Sequence, residues 1–277
     1  MTAPLVIAAI YAHPDDGEFF AAGSLAKWRA AGHRVVAVCA TDGSLGTRHA
    51  DRSRKEVARE RAAELTAALA CLGLEPPIML GFPDGELREH ADALKERLVF
   101  HLRCMKVDRM LTFDPWRRYE IHPDHVTVGR VACEAAAFSC FPLLFPHHLS
   151  QVGLEPRQPR EVWFMTPTEH APNRVVDIAP TFEAKIRSFL CHRSQVELLA
   201  NWFAPDADDP WQIPHAELER GARNLLEKMA RVSAKAARNV ELAEAFYVQR
   251  VGPGHLSNFD DMLREMVGAT QQVVEVE

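Results

Sequence analysis

Two short polar clusters combine imidazole and carboxylate side chains at a spacing that suits a metal ion. The first is Ala12-His13-Pro14-Asp15-Asp16, and the second is His122-Pro123-Asp124-His125. Histidine nitrogen and carboxylate oxygen suit zinc, and a catalytic zinc site has three protein ligands with one position open. His13 and Asp16 lie three residues apart at the start of a predicted helix, so both can reach one ion. A histidine of the second cluster would complete the set.

The other polar residues of the clusters have side chains that could take part in catalysis. Asp15 is free to act as a general base towards water, and His122 could stabilise an oxyanion or protonate a leaving amine. A carboxylate such as that of Asp124 could orient the His122 ring. One His-Pro-Asp sequence alone is typical of a turn that caps a helix. Two of them at one edge of a sheet favour a metal or polar-ligand site.

The order of elements predicts a sheet that brings the clusters together. Apolar, β-rich runs alternate with helical patterns of Ala, Leu, Glu and Arg. The predicted strands are Leu5–Tyr11, Arg34–Ala40, Pro77–Phe82 and Arg109–Phe113, and the predicted helices are Phe19–Ala31, Arg52–Leu72 and Glu89–Met105. This order predicts an α/β fold, a Rossmann-like doubly wound, mainly parallel sheet with helices on both faces. Ligands of such sheets bind beyond the carboxyl ends of the strands, where both clusters fall.

The second half of the chain is less regular. Glu161–Met165 and Val175–Ile178 predict short strands, while Phe182–Trp202 and Glu217–Phe246 predict helices. We find no repeat and no convincing linker. The sequence therefore predicts a single domain over residues 1–277, in which 205–277 form a mainly helical C-terminal extension.

The composition limits the classes of protein to which this chain can belong. The chain has 277 residues, 47% of them hydrophobic, which is enough for one large core. A net charge of −6 argues against nucleic-acid binding, and no apolar run reaches the roughly 20 residues of a membrane span. The six cysteines form no CxxC pair, and the start of the chain does not resemble a signal peptide. We expect a reduced, cytoplasmic protein with a small-molecule substrate.

The two clusters, with further motifs, resemble the PIG-L/LmbE superfamily of N-acetylglucosaminyl deacetylases and related amidases. The similarity runs from about Val6 to Gln195. Its further motifs are Thr41-Asp42-Gly43 with Gly46, Arg61 with Glu64, Phe82-Pro83-Asp84-Gly85, His192-Arg193-Ser194-Gln195 and, more faintly, Glu244-Ala245-Phe246. The sequence departs from the family in two places. Gly17 separates Asp16 from Glu18, and Glu120-Ile121 stand where relatives often have Gly before the second cluster.

The resemblance implies a role for each residue. The metal ligands would be His13, Asp16 and His125. Asp15 would be the general base, and His122 would face the oxyanion and leaving group with Asp124 holding its ring. Arg61 and Asp84 would contact the substrate.

The resemblance also implies a reaction, a zinc-dependent deacetylation of an N-acetyl amino sugar of the N-acetylglucosamine type. Two histidines and one carboxylate would also accept Fe²⁺, Co²⁺ or Mn²⁺. Relatives are often oligomeric, so a homo-oligomer is compatible with the resemblance. One alternative is an amidase of the same fold that cleaves a larger amide, such as a thiol conjugate or an acylated natural product. Another is a non-catalytic sugar- or nucleotide-binding Rossmann-like protein, although no G-x-G-x-x-G follows the first strand.

Overall fold

A computed structural model describes residues 3–165, 171–203, 209, 212–257 and 275–277. Within these residues, nine strands belong to one sheet. The strands are β1 (Val6–Tyr11), β2 (Arg34–Thr41), β3 (Ile78–Phe82), β4 (Arg109–Phe113), β5 (Glu161–Met165), β6 (Arg174–Asp177), β7 (Ala243–Gly252), β8 (His255–Ser257) and β9 (Glu275–Val276). The helices are α1 (Asp16–Ala30), α2 (Arg54–Cys71), α3 (Ala91–Met105), α4 (Pro123–Phe138), α5 (His147–Ser150), α6 (Phe182–Phe189), α7 (Arg193–Leu198), α8 (Ala200–Phe203) and α9 (His215–Ala234).

The strand order places a topological switch point beside both polar clusters. The order is β3-β2-β1-β4-β5-β7-β6-β9, and β1 to β5 are mutually parallel. The chain moves outward from β1 to β3 and then crosses back to β4, so right-handed connections put the helices on both faces. The predicted fold class is therefore confirmed. The first polar cluster follows β1 and the second follows β4, the neighbouring strands at which the order reverses.

Local sequence explains how the helices next to the site begin and pack. Helix α2 starts at a capping box, in which Ser53 and Glu56 exchange hydrogen bonds. Helix α4 has Pro123 in its first turn, where a missing amide hydrogen costs nothing. Gly129 of α4 lies so close to β4 that an added Cβ would be 2.6 Å from the Phe113 carbonyl oxygen. This close approach holds the second cluster against the end of β4.

The C-terminal part of the chain differs from the prediction. The helix expected over Glu217–Phe246 ends at Ala234, and the chain returns as β7 between β5 and β6, antiparallel to both. Between the helix and β7, Asn239 has a φ of 60°, a left-handed conformation that a continuous helix does not contain. The aromatic and β-branched residues that follow favour a strand. The helix expected over Phe182–Trp202 is divided into α6, α7 and α8, and most of residues 205–214 and of 258–274 lies outside the described residues.

Two further observations concern the helices and the cysteines. Across the described residues, every helix is too short or too polar to cross a membrane. All six cysteines are free, but Cys71 and Cys191 lie with their sulfur atoms 3.6 Å apart, a proximity that their sequence spacing gave no reason to expect.

A buried ion pair ties β7 to helix α1. The Glu244 carboxylate accepts hydrogen bonds from the amides of Gly23 (3.1 Å) and Ser24 (2.8 Å) and from the Lys185 ammonium (2.6 Å). Lys185 also donates to the carbonyl of Phe19 at 2.7 Å. Both charged side chains are about 95% buried. The C-terminal strand and α6 therefore hold the helix that begins at Asp16.

Glu244→Ala should destabilise the fold by about 3–5 kcal/mol, because it leaves a buried ammonium and two helix amides without their acceptor. Chemical denaturation would measure the free energy of unfolding. The exposed pair Glu183–Arg223 provides the control, since Glu183→Ala should cost no more than about 1 kcal/mol. Equal, small losses in both variants would show that the buried pair has no special role.

Candidate metal centre

Three side chains converge at the switch point with a geometry that suits one metal ion. His13 Nδ1 lies 3.2 Å from His125 Nε2 and 3.5 Å from Asp16 Oδ2, and His125 Nε2 lies 3.3 Å from Asp16 Oδ1. Tetrahedral coordination at bond lengths of about 2.0–2.1 Å separates ligand atoms by roughly 3.3–3.4 Å. The distances between the three side chains are close to this value, although the two Asp16 contacts involve different carboxylate oxygens. Their role as ligands of one ion stays a prediction.

Asp15 sits beside this triangle of donors in an unusual conformation. It is the N-cap residue of α1 and has a φ of 155°, a region that residues with side chains rarely adopt. Its Oδ1 accepts a hydrogen bond from Arg61 Nη2 at 2.8 Å. Burial raises the pKa of Asp15, and the Arg61 guanidinium opposes that rise while Asp16 adds to it. A buried carboxylate with a raised pKa suits a general base.

Arg61 is packed into the loop that follows β2 and is only 3% exposed. Besides Asp15, it donates to the carbonyl oxygens of Gly43 (2.8 Å) and Pro14 (3.1 Å). A Cβ at Gly46 would lie 2.3 Å from Arg61 Nη1, so this loop needs Gly to accommodate the guanidinium. The prediction gave Arg61 a substrate contact. Its contacts also position Asp15, and it borders the cavity described below, so the substrate contact stays a prediction.

The second nitrogen of His13 is held by two carboxylates. His13 Nε2 lies 3.2 Å from Asp84 Oδ1 and 3.3 Å from Asp124 Oδ2. Burial would lower the pKa of His13, but hydrogen bonds with Asp124, Asp16 and Asp84 outweigh it and raise that pKa well above its ordinary value. Burial likewise opposes ionisation of Asp84, yet the bond from His13 lowers its pKa to about 2. A carboxylate on the far nitrogen of a ligating histidine fixes the ring and strengthens its donor nitrogen.

This arrangement differs from the predicted role of Asp124. The Asp124 carboxylate accepts from the amides of Gly85 (2.7 Å) and Leu87 (3.1 Å) and faces His13, so it does not hold the His122 ring. Asp84 Oδ2 accepts from the amide of Leu45 at 3.0 Å, and Asp84 also borders the cavity described below, so its substrate contact stays a prediction. Helix α4 turns the Asp124 side chain inward, away from His122.

His122 lies beside the triangle of donors. Its hydrogen bonding determines which ring nitrogen carries the proton. Its Nδ1 accepts a hydrogen bond from the Asp124 amide at 3.3 Å, so the neutral ring carries its proton on Nε2. Burial lowers the pKa of His122, and the neighbouring His13 and His125 lower it further. The three histidines also lie close enough to form an alternative metal set. A ring with a proton on Nε2 is better suited to donate a hydrogen bond than to bind a metal.

The site opens into a cavity of about 550 Å³. Polar side chains of the metal centre and apolar side chains line it together. The apolar lining, here called the apolar side of the cavity, includes Phe20, Leu45, Leu198, Leu199 and Trp202. A polar substrate group can reach the donors while an apolar portion contacts α7 and α8.

Comparison with known proteins identifies the family. The model described as PIG-L, GlcNAc-PI de-N-acetylase, matches residues 8–136. Diacetylchitobiose deacetylase of Thermococcus kodakarensis is 35% identical over 183 residues, which are 66% of this chain and 67% of that protein. The chain belongs to the PIG-L family. The family predicted from the motifs is confirmed, and so is the prediction of an amide-hydrolysing enzyme. A non-catalytic binding protein is not favoured.

Solved structures agree with the PIG-L assignment. N,N'-diacetylchitobiose deacetylase from Pyrococcus horikoshii, in complex with an inhibitor, superposes with a TM-score of 0.74 at 29% identity, covering 92% of this chain and 88% of that one. A 4-carboxy-2-hydroxymuconate hydratase from Pseudomonas putida has a TM-score of 0.67 at 19% identity, covering 88% and 96% of the two chains. That likeness shows the fold alone. Function within this fold must therefore be argued from the site.

Sequence reasoning missed a buried pair behind the site of this PIG-L protein. His192 and Glu18 are both fully buried, and their Nε2 and Oε2 atoms lie 3.2 Å apart. The structure places His192 in the core. Gln195 of the same motif donates to the Gly46 carbonyl at 3.0 Å and so supports the loop around Arg61. The presence of the Gly46 motif and the Gln195 motif in one sequence was the available signal from which that contact could have been predicted.

Proposed function

We propose that this protein is a zinc-dependent hydrolase that removes the acetyl group of an N-acetyl amino sugar of the N-acetylglucosamine type. One observation carries the proposal. A largely buried carboxylate, that of Asp15, lies next to a donor triangle of two histidines and one aspartate without belonging to it. Membership of the PIG-L family and a relative named for diacetylchitobiose support the class of substrate.

Each residue would have a definite task. His13, Asp16 and His125 would hold the ion, which when bound supplies Lewis-acid activation of water and of the amide carbonyl. Asp15 accepts a proton from the water that attacks the carbonyl carbon. His122 Nε2 donates a hydrogen bond to the oxygen on which negative charge develops. The C–N bond then breaks, a proton passes to the departing nitrogen, and acetate and a free amine leave.

Neighbouring side chains hold the metal ligand His13 and the general base Asp15 in separate positions. Asp84 and Asp124 hold the His13 ring from behind, and Arg61 holds Asp15 against rotation. The same donor set suits Fe²⁺, Co²⁺ and Mn²⁺, so zinc is part of the proposal. The cytoplasmic location and a homo-oligomer stay predictions.

Removal of the metal should abolish acetate release from N-acetylglucosamine and its disaccharide, and added zinc should restore it. Acetate release by zinc-loaded and chelator-treated protein measures this directly, with circular dichroism as the control for folding. Release that persists at the same rate without any metal would contradict the proposal. Release only from larger conjugates or acylated natural products would favour the amidase alternative, which the apolar side of the cavity could accommodate.

A further inference from the structure

The ring of His125 has one nitrogen in the donor triangle and one outside it. Nε2 faces His13 and Asp16, as described above. Nδ1 is buried and has no hydrogen-bond partner within the part of the chain that the structure describes. The ring stacks on Phe113 at a centroid distance of 4.1 Å, which limits its freedom to turn over. Nδ1 therefore needs an acceptor that the triangle does not provide.

A carboxylate lies close to this nitrogen. Glu120 Oε2 is 3.5 Å from His125 Nδ1, slightly beyond a good hydrogen bond and within reach of a small rotation. The Glu120 side chain is only 13% exposed, so solvent screens this approach weakly. Glu120 follows Tyr119, whose φ of 60° turns the chain back towards the site.

Glu120 is anchored in this place by two further contacts. Its Oε1 accepts from the amide of His122 at 3.0 Å, and its Oε2 accepts from Arg117 Nη1 at 3.0 Å. These contacts hold the carboxylate in place within its own loop. Glu120 stands two residues before His122, the first residue of the second cluster.

We propose that Glu120 is the positioning residue of the metal ligand His125, through a hydrogen bond from Nδ1 that forms when Nε2 binds the ion. The inference rests on the metal centre of the proposed function. A neutral histidine bound through Nε2 carries its hydrogen on Nδ1, and an anionic acceptor both fixes the ring and makes Nε2 a stronger donor. His13 has Asp84 and Asp124 in the equivalent position, so each ligating histidine has its own carboxylate.

The test is zinc affinity. Glu120→Ala should raise the Kd for zinc by about 10–100-fold, as is usual for loss of an outer carboxylate. Glu120→Gln keeps an acceptor of the same length without the charge and should give a smaller increase. Competition with a chromophoric chelator measures the Kd. NMR of the zinc-loaded protein should show a protected His125 ring N–H signal that Glu120→Ala removes.

Glu219 provides a matched control, since its carboxylate lies 3.4 Å from His215 Nε2 on α9, and neither residue belongs to a potential metal-binding group among the described residues. Glu219→Gln should leave the zinc Kd unchanged. Melting of the metal-free proteins should show no loss of fold in Glu120→Gln. A change of less than about threefold in both Glu120 variants, with His125→Ala still weakening zinc, would overturn the role of Glu120 alone. If His125→Ala has no effect either, the metal centre itself is wrong.

Discussion

Replacement of Asp15 by Asn should lower kcat for deacetylation by about 10²–10⁴-fold, the range typical of a lost general base. Asn has the same shape, and its side-chain oxygen can still accept the hydrogen bond from Arg61. It cannot take a proton from water at neutral pH. The metal content should not change, because Asp15 lies outside the donor triangle. Steady-state kinetics on zinc-loaded protein, with metal analysis of the same sample, measures both quantities.

Asp114 offers a matched control for this prediction. It is also a buried aspartate at the carboxyl end of a strand, but it does not border the cavity. Its Oδ1 accepts from the amide of Trp116, a contact that Asn can also make. Asp114→Asn should therefore retain a kcat close to that of the unmodified protein. If Asp15→Asn loses less than tenfold, another group removes the proton from water.

Truncation of His125 to Ala should remove one of three protein ligands and cost at least about 3 kcal/mol of metal binding, or roughly 100-fold or more in Kd. Activity at limiting zinc should fall with it. Chelator competition measures the Kd, and thermal melting of the metal-free protein checks that loss of the stack on Phe113 has not unfolded the site.

His122→Ala separates the two sets of ligands that the geometry allows. With His13, Asp16 and His125 as ligands, this variant should bind zinc almost as tightly as the unmodified protein while its kcat falls. With a set of three histidines, zinc affinity should fall as far as in His125→Ala. Equal weakening of zinc binding in the two variants would thus show that His122 is a metal ligand rather than a catalytic residue.

Much of the site could be predicted because spacing and strand order are local or topological properties. His13 and Asp16 are fixed by one turn at a helix start, and the switch point follows from the order of strands. Contacts between distant loops could not be predicted. The Asp124 carboxylate faces His13 because α4 is pressed onto β4 at Gly129, and no pattern within the second cluster contains that fact.

The secondary structure of the C-terminal part was harder to predict from the sequence, for a physical reason. Segment 235–246 contains several Ala residues and Glu, which favour a helix, and only the partners of β7 determine its state. β5 and β6 come earlier in the chain and leave a gap between them that β7 fills. A strand that completes a sheet depends on contacts far away in sequence, so local propensity is a weak guide to it.

The ion pair between Glu244 and Lys185 has a consequence for how this protein could be divided. All the residues proposed for metal binding and catalysis come before residue 126, which makes the first half look like a portable catalytic module. Its helix α1, however, is held by the side chains of Lys185 and Glu244, which lie 166 to 221 positions from their partners in α1 along the chain. The first half cannot be transplanted by itself with its centre intact. A graft of the site therefore has to carry β7 and Lys185 with it.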